Sequence, residues 1–343
     1  MKNKKILFIL SGAGLIAAIF LIIVYRNLFG MNIVPGKTRQ VLYIPTGSSF
    51  EQVMDSLQKN LKIKNPQVFL WLAEKKKYPS SIRPGRYVIN NNQSYNSLIN
   101  LLRSGKQSPV NLTFNNVRTL NDIAGRIGKQ IESDSAAILD FFSNESNYSK
   151  DGFNKENVIS VFIPNTYQVY WNMDSRQFYT RMLKEYRLFW NEERVEGAKE
   201  KNLTPQEVSI LASIIDDEVV KRDEKPRIAG VYLNRLQRGM PLQACPTIKF
   251  AMNDFTITRV LNKYLLIDSP YNTYKHSGFP PGPIGCATIE GIEAVLNAEK
   301  HDYLFFAAKS DFSGYHNFSR TLSEHNRYAV LYQKELDKRK IFK

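Results

Sequence analysis

Metal-binding and disulfide chemistry are thinly provided for in this chain. Its 343 residues include two cysteines, Cys245 and Cys286, and four histidines, His276, His301, His316 and His325. No C-x-x-C pair occurs, and no two histidines stand four apart as on a metalloprotease helix. A metal site is therefore not expected, and no cofactor is expected either. Two cysteines can bridge in an oxidising compartment or remain separate buried thiols, and spacing does not decide between them. Acidic residues are also short, 32 against 47 Lys and Arg, leaving a net charge of +15. The positive residues are spread out rather than gathered in a stripe, which argues against nucleic acid as the partner. The remaining composition, 43% hydrophobic and 23% charged, is that of a globular protein with room for two or three domains.

The N-terminus departs from that pattern. Lys2, Lys4 and Lys5 precede an uncharged apolar run, Ile6 to Tyr25. Such a run is long enough to span a bilayer as one transmembrane helix. A cleaved signal peptide has a shorter apolar core and a small-residue cleavage site. Here the run passes into Tyr25, Arg26 and Phe29 with no A-x-A signature, which favours an uncleaved anchor. The basic cluster should stay inside, placing the rest of the chain outside the cytoplasm on the cytoplasmic (inner) membrane.

Beyond the anchor, hydrophobic periodicity predicts an α+β protein. Residues 1–26 form the cytoplasmic stub and anchor, and 27–40 a linker containing Gly30, Pro35 and Gly36. From 41 to 115 strand, turn and helix recur: a strand from Val41, a helix carrying Phe50, Val53, Met54, Leu57 and Leu61, and a helix from Pro66 to Lys76. A strand after Gly85, a helix from Tyr95 to Leu102 capped by Ser94, and a strand Val110 to Phe114 complete it. The echo lies between the turn-helix segments beginning at Thr46 and Asn91. Small units of this kind resemble the LysM-type glycan-binding module, and an ordinary small α+β domain fits equally well. Residues 116–200 read as a mostly helical connecting region, and 201–343 as a mixed catalytic domain.

One helix carries the candidate chemistry. Thr204 as N-cap, Pro205 at the first position and Glu207 completing a capping box predict a helix running to about Lys221. Val208, Leu211, Ala212, Ile215 and Val219 share one apolar stripe. Of three consecutive acids, Asp217 is expected to face solvent and Asp216 one flank, while Glu218 falls beside Leu211 and Ile214. A carboxyl against apolar surface holds its proton nearer neutral pH, as proton donation to a leaving oxygen requires. Asp216 and Glu218 point to opposite flanks, so the two cannot straddle one glycosidic bond.

Downstream motifs make a family resemblance specific. These are Leu211 to Glu218; Val231-Tyr232-Leu233-Asn234-Arg235-Leu236; Met240-Pro241-Leu242-Gln243 with Pro246-Thr247; Tyr271-Asn272-Thr273-Tyr274; Gly278 to Ile284; His316-Asn317-Phe318; and Glu324-His325-Asn326. In this order and spacing the chain resembles the endolytic murein transglycosylases, the MltG/YceG family, over essentially its whole length. The resemblance implies a lytic transglycosylase that cuts the MurNAc-GlcNAc bond of nascent peptidoglycan strands and leaves a 1,6-anhydro-MurNAc end. It makes Glu218 the catalytic acid and base. Gln243, Asn272 and Tyr274 would bond sugar hydroxyls or N-acetyl groups, and Thr247, Asn234 and Asn326 would orient Glu218 or the strand. Pro280, Pro281 and Gly282 would stiffen a cleft loop. A peptidoglycan synthase is the implied partner. Arg235 is read as pairing with a local acid, and His316 and His325 as structural.

The chain departs from the family pattern at three places. Asp216 replaces the first acid of a Glu-x-Glu pair, Cys245 stands where Asp usually precedes Pro-Thr, and Cys286-Ala287 follows the Pro-Pro-Gly loop. Both cysteines would then border the cleft, close enough to bridge. In this setting the positive charge fits anionic headgroups and stem-peptide carboxylates, or is generic solubilising charge. The rival readings are a hydrolytic muramidase, which needs a second carboxylate, and a non-catalytic glycan-binding scaffold.

Overall fold

A computed structural model describes residues 2–30, 33–34, 40–90, 93–115, 117–257 and 260–341. Pro35, Gly36 and Asn91, named above, lie outside the described residues, as do the side chains of residues 2–11, 13, 27, 33, 34 and 62. The chain divides into two compact units, Met1–Leu112 with Lys129–Ser133 and Tyr167–Asp174, and Thr113–Gly128 with Asp134–Thr166 and Ser175–Lys343. The mixture of helices and short two-stranded ladders is the expected α+β class.

The first unit begins with α1 (Lys2–Phe29), which covers the apolar N-terminal run. Leu15, Ile16, Phe20 and Leu21 on it are exposed. Among the described residues no helix is long and apolar enough to cross a membrane. Next come β1 (Ile33–Val34), β2 (Gln40–Ile44), α2 (Phe50–Asn60), β3 (Lys62–Ile63), α3 (Pro66–Lys75), β4 (Gly85–Ile89) and α4 (Tyr95–Ser104). Strands β2 and β4 pair antiparallel, Leu42 opposite Tyr87. Period-2 alternation sends Leu42, Ile44, Tyr87 and Ile89 inward, where Val53, Leu57, Phe69, Tyr95, Leu98 and Leu102 from the helices cover them. Ser49 closes a capping box with Gln52, and Ser94 caps α4, which ends at Gly105 in the left-handed region (φ 67°).

The strand β5 (Val110–Phe114) pairs with β6 (Asn165–Val169), a strand that helical periodicity over 135–200 concealed. In the second unit α5 (Leu120–Ile127) packs on α6 (Ser135–Ser143). Phe114, Phe141, Phe142, Phe162, Phe178 and Tyr179 form an aromatic core beneath them and α7 (Ser175–Phe189). The chain continues through α8 (Glu192–Lys199), α9 (Pro205–Glu218), α10 (Lys225–Gln237), α11 (Cys245–Ala251) and α12 (Ile289–Leu296). An antiparallel hairpin of β7 (Phe305–Ala308) and β8 (His316–Ser319) follows, covered by α13 (Leu322–Lys338).

Helix α9 begins as expected, with Thr204, Pro205 and Glu207 forming the capping box. Its burial differs from expectation. Val208 through Ile215 are all buried, so the helix is sheathed on every side by α8, α10, α11 and α12 rather than presenting one stripe. Ser209 and Ser213 tolerate this because their hydroxyls bond back to Pro205 O and Ile210 O.

In the first unit, Leu57 is fully enclosed between α2 and the β2–β4 pair. A Leu57→Ala change should cost about 2–5 kcal/mol of stability by denaturant unfolding, through lost transfer energy and a residual cavity.

Candidate functional site

Helix α9 stops at Glu218, short of Lys221, because Val219 turns to extended backbone (φ −126°, ψ 124°) and buries its side chain. Asp216, Asp217 and Glu218 therefore occupy the carbonyl end of a helix whose last turn has no basic residue. Negative charge is disfavoured at that end of the helix dipole, so each acid needs a specific resolution.

Asp216 and Asp217 are both paired. The Asp216 carboxylate receives Lys225 Nζ at 2.7 Å, Thr288 N at 2.7 Å and Thr288 Oγ1 at 2.9 Å. Thr288 is the N-cap of α12, so this anion sits at the favourable end of a second helix. A side chain at Gly291 would collide with it, which explains glycine there. Asp217 is exposed and held bidentately by Arg118, Nη1 to Oδ2 at 2.6 Å and Nη2 to Oδ1 at 2.7 Å.

Glu218 is treated differently. Its side chain is half-buried, and its Oε2 is fully buried with no hydrogen-bond partner among the described residues. Burial pushes its pKa up to about 7; Lys249 opposes the shift and Asp217 adds to it. Its electrostatic neighbours on the packed elements are Tyr232 on α10, Cys245 and Lys249 on α11, and Tyr274. Tyr232 is buried with its hydroxyl also unpartnered. Cys245 Sγ lies 3.2 Å from Tyr274 Oη, and burial pushes the thiol up to about 11, keeping it neutral.

The other sequence candidates fall into two groups. Gln243 and Tyr274 join the Glu218 surroundings through shared partners: Arg235 Nη1 reaches Gln243 Oε1 at 3.4 Å, and Tyr274 meets Cys245. Gln243 is exposed and held at φ 54°, a strained conformation for a residue with a side chain. Its amide donates to Thr273 O. Thr247 and Asn272 are fully enclosed and spend their hydrogen bonds inside the protein. Thr247 Oγ1 bonds Ala244 O and Thr273 Oγ1, and Asn272 Nδ2 bonds Leu265 O and Ile267 O. Asn234 Nδ2 donates to His301 O and Tyr303 O, tying α10 to the segment before β7. Asn326 is exposed on α13, and among the described residues no hydrogen bond joins it to the Glu218 group. Pro280 and Gly282 are buried and Pro281 is exposed; a side chain at Gly282 would strike the Glu156 carbonyl.

Two expectations are corrected. Cys245 and Cys286 are both free thiols rather than a bridge. Cys245 faces Tyr274, whereas Cys286 is buried against the Ile159 carbonyl, with its amide on Val117 O. Arg235 is not paired with an acid through its hydrogen bonds. It donates instead to Leu304 O (2.6 Å), Leu242 O (2.7 Å) and Pro241 O, a buried fork that fastens the 241–243 loop. His316 is structural as expected, with Nδ1 2.9 Å from Glu224 Oε2. His325 lies against Phe305, and burial lowers its pKa, favouring the neutral ring.

Sequence reasoning did not single out Arg118, Tyr232 or Lys249. Nothing local marks Arg118, which meets Asp217 across 99 residues. It also stacks over Phe255 at 4.4 Å and lines two adjoining clefts. One, of about 250 Å³, includes Ser213, Asp216, Asp217 and Thr288. The other, of about 390 Å³, includes Lys155, Glu156, Phe250 and Tyr271. Among the described residues, no group of three or more His, Cys, Asp or Glu can hold a metal ion.

Comparison with known proteins adds independent information. A family model described as the YceG-like family matches residues 42–330. An endolytic murein transglycosylase of Bacillus subtilis (strain 168) is 31% identical over 313 residues, covering 86% of this chain and 85% of that protein. An endolytic murein transglycosylase of Streptococcus pneumoniae (strain ATCC BAA-255 / R6) is 29% identical over 300 residues; the match covers 77% of this chain but only 53% of that longer protein. A crystal structure of a yceG-like protein from Listeria monocytogenes superposes with a TM-score of 0.55 at 27% identity, covering 85% of this chain and 99% of that one.

The half-buried Glu218 makes a stability prediction. The folded state keeps the proton up to about pH 7, while the unfolded chain releases it near 4.5. The folded form thus binds more protons between these values, and its stability falls as pH rises through that window. Glu218→Gln lacks this titration. Denaturant unfolding should show the variant gaining on the order of 1–3 kcal/mol relative to wild type between pH 5 and pH 8.

Proposed function

The chain belongs to the YceG-like family and acts as a lytic transglycosylase on peptidoglycan glycan strands, and we propose that Glu218 carries the chemistry. The observation behind this is the unpartnered carboxyl oxygen at the end of α9, with a pKa raised to about 7 while both neighbouring acids are paired. In its protonated form Glu218 gives its proton to the oxygen linking MurNAc to GlcNAc, and the C1–O bond breaks. The carboxylate so formed takes the proton of the MurNAc C6 hydroxyl as that oxygen bonds to C1. The product is a 1,6-anhydro-MurNAc end, with no water consumed and Glu218 reprotonated. One carboxyl performs both transfers.

The pairing of Asp216 and Asp217 favours this route over hydrolysis. A hydrolytic muramidase needs a second free carboxylate to activate water or attack the sugar. Asp216 is bound to Lys225 and Thr288, and Asp217 to Arg118. Gln243 and Tyr274 are the candidates for direct substrate contact. Thr247, Asn272 and Asn234 act through the loops they hold, and Pro280, Pro281 and Gly282 would form a stiff wall. The β2–α2–α3–β4 unit serves as a LysM-like glycan-binding module. The uncharged apolar run from Ile6 to Tyr25, with Lys2, Lys4 and Lys5 before it, is the sequence feature that would anchor the chain in the cytoplasmic membrane with the catalytic unit outside. There it would end the elongation of nascent strands beside a peptidoglycan synthase.

Mass spectrometry of digested peptidoglycan checks the assignment: wild type should give anhydro-muropeptides and Glu218→Gln at least a hundredfold fewer. Equal yields would remove Glu218 from the mechanism. Products heavier by one water would indicate a hydrolase. Because the working form is protonated, the initial rate should decline as pH rises through about 7.

A further inference from the structure

We propose that Arg118 is a positioning residue for this reaction: by clamping Asp217 it neutralises the anion next to Glu218 and fixes the end of α9 against the segment leading into α5. The inference rests on the assignment of Glu218 above. It is carried by geometry that sequence spacing does not reveal.

The Arg118 contact with Asp217 is bidentate, two parallel N–H···O bonds at 2.6 and 2.7 Å. Such a fork fixes direction as well as charge, which a lysine ammonium cannot do. The guanidinium is supported on its face by Phe255 at 4.4 Å. The backbone beneath it is also held: Val117 O accepts Cys286 N, and the Arg118 amide donates to Asp122 Oδ2. An exposed ion pair of this kind adds little to stability. Its value lies in what stands beside it.

Glu218 follows Asp217 directly in the chain. The charged and titratable groups around it are Asp217 on its own helix, Tyr232 on α10, Cys245 and Lys249 on α11, and Tyr274. Of these, Asp217 is the carboxylate, and Arg118 offsets it. Without Arg118, an uncompensated anion would make the Glu218 proton harder to release. The acid would stay protonated to higher pH, but the carboxylate required after proton donation would be less stable. Freed of its clamp, the Asp217 side chain would also stop fixing the helix end from which Glu218 projects.

The test is the pH profile of initial rate on purified glycan strands, run on the full-length protein for four variants. Arg118→Ala should move the descending limb up by roughly half to one pH unit. Asp217→Asn should move it down by a similar amount. Arg118→Lys keeps the charge but not the fork, so the limb should stay near wild type while kcat falls about threefold to tenfold at unchanged KM. The double variant Arg118→Ala/Asp217→Asn should follow Asp217→Asn. A role confined to folding would lower the amount of active enzyme without moving the limb, and thermal unfolding of each variant identifies that loss. Limbs that coincide for Arg118→Ala, Asp217→Asn and wild type overturn the proposal. If Glu218→Gln is inactive in the same assay, that failure leaves the assignment of Glu218 standing. If Glu218→Gln still yields anhydro products, the assignment itself has failed.

Discussion

A carboxyl that must donate a proton near neutral pH cannot be paired with a cation and cannot be left in open water. Pairing would hold it ionised, and full hydration would return it to the ordinary carboxylate range. The end of α9 meets both conditions at one residue while avoiding them at the two before it. Asp216 is bound by Lys225 and the N-terminus of α12, and Asp217 by Arg118. Glu218 keeps an oxygen with no partner. The sheathing of α9 follows from the same requirement. A helix buried along Val208 to Ile215 fixes the direction from which its last turn, and Glu218 with it, projects. Holding an acid at the negative end of a helix opposes stability, a familiar cost of reactive groups.

The surrounding loops are stiffened by groups that do not themselves face a ligand. Arg235 gathers the carbonyls of Pro241, Leu242 and Leu304. Thr247 and Thr273 bond one another within the interior, and Asn272 fills the carbonyls of Leu265 and Ile267. These bonds surround Gln243, which is exposed, sits in the left-handed region and accepts from Arg235 Nη1 through its Oε1. Backbone strain of that kind persists only where the structure around it is over-determined. The polar motif residues thus divide by burial: the enclosed ones set loop shape, and the others reach the surface.

Much of this organisation was legible in the sequence wherever the signal was local. Thr204-Pro205-Gln206-Glu207 marked the start of α9, Ser94 that of α4, and strand signals marked β2 and β4, whereas the two-residue strands β1 and β3 left no pattern to read. The opposed directions of Asp216 and Glu218 followed from helix geometry. What escaped was non-local. The strand β6 alternates over only its last three residues, Tyr167 and Val169 inward, within a stretch read as helical, and its partner β5 lies more than fifty residues earlier. Arg118 finds Asp217 across 99 residues. Arg235 sits in a recognisable motif, yet its partners are backbone carbonyls, which no side-chain pattern can announce. The two cysteines occupy loops that suggested proximity, but their side chains turn to Tyr274 and to Ile159.

The groups around Glu218 bear jointly on its proton. Cys245 lies beside Tyr274, and its thiol is held neutral by burial. An aspartate there would place an anion among the groups around Glu218. In this chain that anion is absent, Asp217 is offset by Arg118, and Lys249 contributes positive charge. The balance around Glu218 is therefore not one of crowded carboxylates, the arrangement by which paired acids raise one another's pKa. Desolvation is the larger cause, and the nearby charges trim it. A proton held by desolvation can be released once a sugar oxygen enters hydrogen-bonding distance, because the arriving group supplies the polar contact that the empty surroundings withheld. Under the role proposed for Glu218, substrate entry and proton release meet at one oxygen atom, which has no hydrogen-bond partner among the described residues.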